Sequence, residues 1–372
     1  MPGSAEVART AMFGKRADMV VRGELPFNAE PPPSVLAGSE ITPVDAFYAR
    51  NHGPIPDVAV EQWQLTVEGL VDRSLTVSYE ELTRSFPQHW VVATLSCAGN
   101  RRAELLKFHP IPGKDPWAHG AISTAEWRGA RLADVLEAAG VQRDADLHVA
   151  FDAPDVAQEA RPVQSYGSSI PLKKAMSDEV LLVWQMNGRP LPPVHGGPVR
   201  VVVPGYIGAR SVKWITGITV QATPSQNYFQ ALDYRILPPE ADANTVAPGE
   251  GIALSTLALN CDILVPTDSD AVPAGSLNVH GYAIAGDGRS VERLDVSVDE
   301  GRTWRQADLQ PARSQWAWRL WSITVEVERG PLVLSARAWD NTGAVQPDTP
   351  GPLWNPRGYV NDSWARIELE VI

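Results

Sequence analysis

The 372-residue chain is 44% apolar and 20% charged, long enough for two or three domains and too apolar for wholesale disorder. With 32 basic against 44 acidic residues, its net charge of −12 opposes phosphate and excludes a general nucleic-acid partner. No apolar run reaches the roughly 18–20 residues of a membrane helix, the N-terminal segment lacks a secretory-signal pattern, and two distant cysteines make no disulfide framework. These features predict a cytoplasmic protein without a membrane partner.

Residues 1–45 are polar and carry Pro31, Pro32 and Pro33, which predicts an extended N-terminal arm over a core. Alternation over 63–69 predicts a strand. Ser78 with Glu81 is a capping-box signature opening a short helix. A second strand, 91–95, runs directly into Cys97. Leu132, Val135, Leu136 and Ala139 recur at helical spacing, with Gly140 as the stop. Segments 147–151, 180–184 and 199–203 read as buried strands. The Pro/Gly/acidic stretch 238–251 marks a domain boundary. Beyond it nothing reads as helical, and 276–284, 290–298, 316–327 and 332–339 are β-rich segments between turn clusters. The predicted class is α+β: a mixed α/β domain over 46–245, then an all-β sandwich over 250–372.

Cys97 lies in Ser96-Cys97-Ala98-Gly99-Asn100-Arg101-Arg102, at a strand end with two guanidinium groups close behind. Fixed cations favour thiolate, the form that serves as soft metal ligand or nucleophile. The plain alternative is a buried inert cysteine, which is the reading for Cys261. His52 and His195 sit in Gly/Pro loops, where histidines are most often ordinary hydrogen-bonding residues. Three basic islands, at Arg50, at Arg101/Arg102 and at Arg200/Arg210/Lys213, suggest an anionic ligand, against the alternative of ordinary salt bridges. The 205–210 segment lacks the spacing of a dinucleotide site, and no Walker A, HExxH or Cys-x-x-Cys sequence occurs. A cysteine-dependent hydrolase using Cys97 with His52 or His195 stays open on these residues. An adhesion protein built on the sandwich would leave the basic islands unexplained.

Several motifs occur in a fixed order: Arg50-Asn51-His52, the Thr94–Arg102 segment around Cys97, the 165–172 segment Ser-Tyr-Gly-Ser-Ser-Ile-Pro-Leu, the 195–205 segment beginning His-Gly-Gly-Pro with the 208–214 segment Gly-Ala-Arg-Ser-Val-Lys-Trp, and Trp354-Asn355-Pro356-Arg357-Gly358. From about residue 45 to the C-terminus the chain thereby resembles the sulfite oxidase family of molybdopterin-dependent oxidoreductases. The resemblance implies that the sandwich is an immunoglobulin-like dimerisation domain and the protein a homodimer. It implies that Cys97 binds molybdenum beside the pterin dithiolene. Tyr48, Arg50, Asn51, His52, Asp155, His195, Arg200, Ser211, Val212 and Lys213 would hold the pterin and its phosphate, with Asp152 the rival to Asp155. Arg50, Arg102, Trp117, Tyr234 and Arg357 would form the substrate pocket.

The implied reaction is oxidation of sulfite to sulfate, with two-electron reduction of Mo(VI) and stepwise transfer to an external one-electron acceptor. No cytochrome b5 module precedes the first motif, so that acceptor is expected to be a separate molecule. Nitrate reductases resemble the same segments but add haem and flavin modules and carry an uncharged residue at the Arg357 position. Gly197 stands where the animal sulfite oxidases usually carry an aromatic residue.

Overall fold

The computed structural model describes residues 11, 13–143, 146–268 and 270–372. An antiparallel sheet and a mixed sheet build the first half. One runs in the order Arg189–Pro190, Leu181–Met186, Ile122–Arg131, Gln88–Ser96, with Arg200–Val202 also paired to Leu181–Met186. The other runs Leu75–Ser78, Gln64–Gly69, Gly217–Gln221, His148–Ala157, Gln164–Pro171. In it, Gly217–Gln221 lies parallel to Gln64–Gly69 and antiparallel to His148–Ala157.

The short helices form for local reasons that the sequence announces. At Tyr79–Ser85 both halves of the capping box are present, with the Ser78 side chain accepting from the Glu81 amide and the Glu81 carboxylate accepting from the Ser78 amide. Helix Leu132–Ala138 buries Leu132, Ala133, Val135 and Leu136, and the chain leaves it through Gly140 at φ 82°.

The expected strand at 147–151 extends over His148–Ala157 because of a bulge. Asp152 pairs with Gly167 but Val156 pairs with Ser165, so residues 153–155 on one strand face Tyr166 alone on the other. The two extra residues keep the alternation, which places Asp155 inward with Phe151 and Ala153 while Asp152 stays exposed.

The C-terminal half is a two-sheet sandwich. Four strands run Asn260–Val265, Gly275–Ile284, Arg319–Val327, Asp308–Leu309, and five run Ala271–Val272, Ala365–Val371, Gly330–Asp340, Val291–Ser297, Arg305–Gln306. Its one helical feature among the described residues is the 3₁₀ turn Gly351–Leu353, in a stretch that reads as non-helical. Between the halves, residues 237–251 carry neither strand nor helix.

Val279, Leu294, Trp321 and Leu334 lie in the sandwich's own core, and so does Cys261, as its apolar setting suggested. The first core, however, reaches into the sandwich through Tyr282, Ile284 and Trp318. Trp318 donates its indole N–H to Glu40 O in the N-terminal segment, and its amide to Thr94 Oγ1. Two of the tryptophans at 316–321 therefore divide between the sandwich core and its junction with the first half. No helix among the described residues is long and apolar enough to cross a membrane.

Candidate active site

The strand Gln88–Ser96 ends in buried residues and delivers Cys97, 8% exposed, to the bottom of a cleft. Cys97 is a free thiol and accepts from the Gly99 amide. Burial pushes the thiol above its ordinary value, while Arg102 and Arg50 pull it back toward thiolate. Of the two arginines that follow Cys97, only Arg102 has this effect. Arg101, at φ 62°, turns away and donates to Cys261 O, Ser363 O and Trp364 O of the sandwich. Gly99 makes room for Arg102, since a Cβ there would lie 2.2 Å from the guanidinium.

Two cavities meet at Cys97, and Arg50, His52, Cys97 and Tyr234 line both. The inner cleft is also lined by Tyr48, Asp155, His195, Arg200, Ser211 and Lys213. His195 comes from the 3₁₀ turn Pro193–His195, and Arg200 begins the strand Arg200–Val202. The outer cavity, about 590 Å³, is lined by Arg102, Lys114, Asp115, Glu159 and Tyr359, with Leu25 and Asn28 from the N-terminal segment.

Most of the sequence-predicted residues come together here, but not all. Asn51 is fully buried beneath the cleft, where its side chain takes a hydrogen bond from Lys213. Val212 is buried in the apolar core and does not line either cavity. Trp117 packs in the cluster that contains Cys97, yet its fully buried ring lines neither cavity and its indole N–H has no partner. Arg357 lines a neighbouring cavity of about 410 Å³, its Nη1 2.8 Å from Asp233. Arg210, grouped with Arg200 and Lys213 by sequence, bonds Ser168 Oγ and Leu254 O instead. Of the two carboxylates weighed for the cleft, Asp155 lines it.

Sequence reasoning missed Lys114, Asp233 and Tyr359. Asp233 is fully buried and accepts from Lys114 at 2.6 Å, from Arg357 at 2.8 Å and from the Tyr359 hydroxyl at 2.9 Å. Burial alone would raise its carboxyl, but the two cations hold it down at about 2. Its only sequence signal is adjacency to Tyr234. Tyr166, inside a quoted motif but given no role, stacks on His52 at 4.5 Å.

The charges of the inner cleft are unbalanced. Arg200 is buried and gives its N–H groups to backbone carbonyls of His195 and Ser211, with no carboxylate in reach among the described residues. Lys213 bonds Arg50 O, Val194 O and the Asn51 side chain, and burial pushes its ammonium well below the ordinary value. Asp155 Oδ1 is buried without a partner, and burial pushes its carboxyl up to about 7. His52 is held well below its ordinary value by burial and by Arg50, so it is a neutral imidazole; its Nε2 lies 2.8 Å from Tyr234 Oη. A buried arginine without a carboxylate partner and an orphaned carboxylate oxygen among the described residues suit a ligand that carries both anionic and N–H groups. A pterin with a phosphate is such a ligand, and the donor set fits it.

The site and the two-part fold define a molybdopterin-binding oxidoreductase. Residues 52–229 match the family model for the oxidoreductase molybdopterin binding domain, and residues 252–372 that for the Mo-co oxidoreductase dimerisation domain. The chain is 42% identical to a mitochondrial sulfite oxidase of Rattus norvegicus over 95% of its own length, but spans only 65% of that protein. It is 38% identical to a sulfite oxidase of Arabidopsis thaliana, covering 96% of this chain and 95% of the relative. The sulfane dehydrogenase SoxCD of Paracoccus pantotrophus has the same fold, with a TM-score of 0.79 at 24% identity over 95% of this chain and 88% of that one. The chain belongs to the sulfite oxidase family.

Gly197 has no space for a side chain: a Cβ there would lie 2.2 Å from Leu191 O.

Proposed function

We propose that this protein oxidises sulfite to sulfate with a molybdopterin cofactor held in the inner cleft, and passes the electrons singly to an external acceptor. Arg102 carries this reading. It is 3% exposed, lines the outer cavity beside Cys97, and is bonded only to the backbone carbonyls of Gly358 and Asp115. A buried guanidinium without a carboxylate partner calls for an anion, and its planar fork suits two oxygens of one oxyanion.

Cys97 would hold the metal through sulfur. His52, His195, Arg200, Ser211, Lys213 and Asp155 would hold the pterin and its phosphate, with Tyr48 and Asn51 shaping the floor. When bound, the molybdenum centre accepts the two electrons that sulfite gives up. Sulfite plus water yields sulfate, two protons and those two electrons. Arg50 and Arg102 bind and orient the oxyanion with its sulfur toward Cys97. Arg50 is restrained by Glu159 at 3.5 Å and Asp115 at 4.0 Å, whereas Arg102 has no carboxylate ion pair among the described residues and keeps Nη2 for the anion. Tyr234, its phenol raised well above the ordinary value by burial, stays protonated and offers a neutral hydrogen-bonding group held by His52. The net charge of −12 repels a dianion at long range, and the clustered cations inside the cleft reverse that potential locally.

The test is metal and pterin analysis of the purified protein alongside sulfite-dependent reduction of ferricyanide and cytochrome c. The expected result is one molybdenum per chain and sulfite-dependent turnover. Protein that carries molybdopterin but does not respond to sulfite would remove the substrate, and protein without molybdenum would remove the whole reading.

A further inference from the structure

Lys15 lies far outside every sequence motif, in the N-terminal segment, yet it is 5% exposed. Its Nζ is 2.8 Å from Val44 O, 2.7 Å from Phe47 O and 2.5 Å from His195 Nε2. No carboxylate forms an ion pair with it among the described residues. We propose that Lys15 is a positioning residue, which fixes the tautomer of His195 so that the imidazole presents Nδ1–H as a donor to the cofactor.

The argument is a count of donors. Burial lowers Lys15 to about 7, so below that pH it is an ammonium group with three N–H bonds and no acceptor. Two are taken by the carbonyls of Val44 and Phe47, and the third points at Nε2, which must then accept. Burial, Lys15, Lys213 and Arg200 hold His195 well below its ordinary value, so the ring is neutral and has one proton to place. With Nε2 accepting, that proton sits on Nδ1, the ring nitrogen left for a ligand. The ring cannot turn freely, because Phe47 packs edge-on against it at 5.2 Å.

Without Lys15, Nε2 loses the N–H that makes it an acceptor, and the ring proton can move there and leave Nδ1 as an acceptor. The N-terminal segment therefore sets the hydrogen-bonding sense of a cleft residue without touching the cleft.

The contact to the cofactor rests on the function proposed above, whereas the tautomer does not. The experiment uses the protein as purified, labelled with ¹⁵N-histidine and held at pH 6 so that Lys15 is an ammonium group, and reads the tautomer of His195 from long-range proton–nitrogen spectra, with His195→Gln for assignment. The expected result is Nδ1–H in the unmodified protein and Nε2–H in Lys15→Met. Loss of pterin on dialysis should be about tenfold faster in that variant, the scale of losing a partner that orients a ligand-holding histidine. Nε2–H in the unmodified protein overturns the proposal even if Lys15→Met does not fold. An unchanged tautomer in Lys15→Met also overturns it, whatever the loss of stability, because Lys15 would then merely anchor the segment. Absence of pterin from the unmodified protein would instead count against the cofactor reading, with the tautomer still measurable.

Discussion

At the scale of single residues, the site separates groups that hold the cofactor from groups that meet the substrate. Cys97→Ser exchanges a soft sulfur ligand for a hard hydroxyl of similar size, so sulfite turnover should fall at least about 100-fold while the melting temperature barely moves. Steady-state assays beside thermal melts check this.

Asp155 gives a prediction in pH. Its folded value, about 7, lies above the roughly 3.9 of an unfolded aspartate, so between these limits the folded chain binds more protons. Its contribution to stability is greatest at acid pH and declines as pH rises through about 7. In protein stripped of cofactor, Asp155→Asn should lessen that decline, and urea unfolding from pH 4 to 8 measures it. In the loaded protein the same change should lower pterin content, because the partner for the ring N–H groups is weakened.

Arg357 lines the neighbouring cavity and is tied to Asp233, which also holds Lys114 on the outer cavity wall. In Arg357→Met, Asp233 keeps Lys114 as its only cation, which draws that charge away from the cavity. The KM for sulfite should rise roughly tenfold or more with molybdenum content unchanged. A KM within twofold of the unmodified protein, at fixed ionic strength, would show that Arg357 plays no part in binding the anion.

At the scale of elements, short local signals decide the edges and a bulge decides the centre. The helix Tyr79–Ser85 has only seven residues, too few to be stable alone, so its reciprocal cap weighs heavily. Ser78→Ala should cost about 0.5–2 kcal/mol in chemical denaturation, without loss of activity in the folded protein. The bulge in His148–Ala157 has the opposite character. It leaves the burial alternation intact, with Phe151, Ala153 and Asp155 inward and Asp152 outward. Counting four residues past Phe151 therefore points to Asp155 rather than to its rival Asp152.

At the scale of the whole molecule, Arg101 is the point where the halves lock. It leaves the Cys97 loop, pairs with Glu104 at 2.8 Å, lies 3.9 Å from Asp262, and donates to three sandwich carbonyls. His119 joins Asp262 at 2.9 Å and is raised by it to about 9. Arg101→Met would leave Asp262 with less compensation in a buried setting, a loss on the order of 3–5 kcal/mol. It should also loosen the segment that carries Cys97, so molybdenum content should fall together with stability. The match of 252–372 to a dimerisation domain supports a homodimer paired through the sandwich. Light scattering at micromolar concentration should give twice the 40.4 kDa chain mass.

The sequence by itself determined the fold class and the family, because alternation, caps and clustered motifs are local patterns that short windows carry. It also brought forward Cys97, Arg50, Arg102, His52, His195 and Lys213, whose residue types announce their chemistry. Only the tertiary structure decided which way the charges point. Arg101 and Arg102 are neighbours in sequence, yet a left-handed residue sends one into the sandwich and the other into the cavity. Lys15 and His195, or Arg357 and Asp233, are far apart along the chain and meet only because buried cations must find acceptors wherever the packed fold supplies them. That requirement acts through space, so no spacing of residues along the sequence records it.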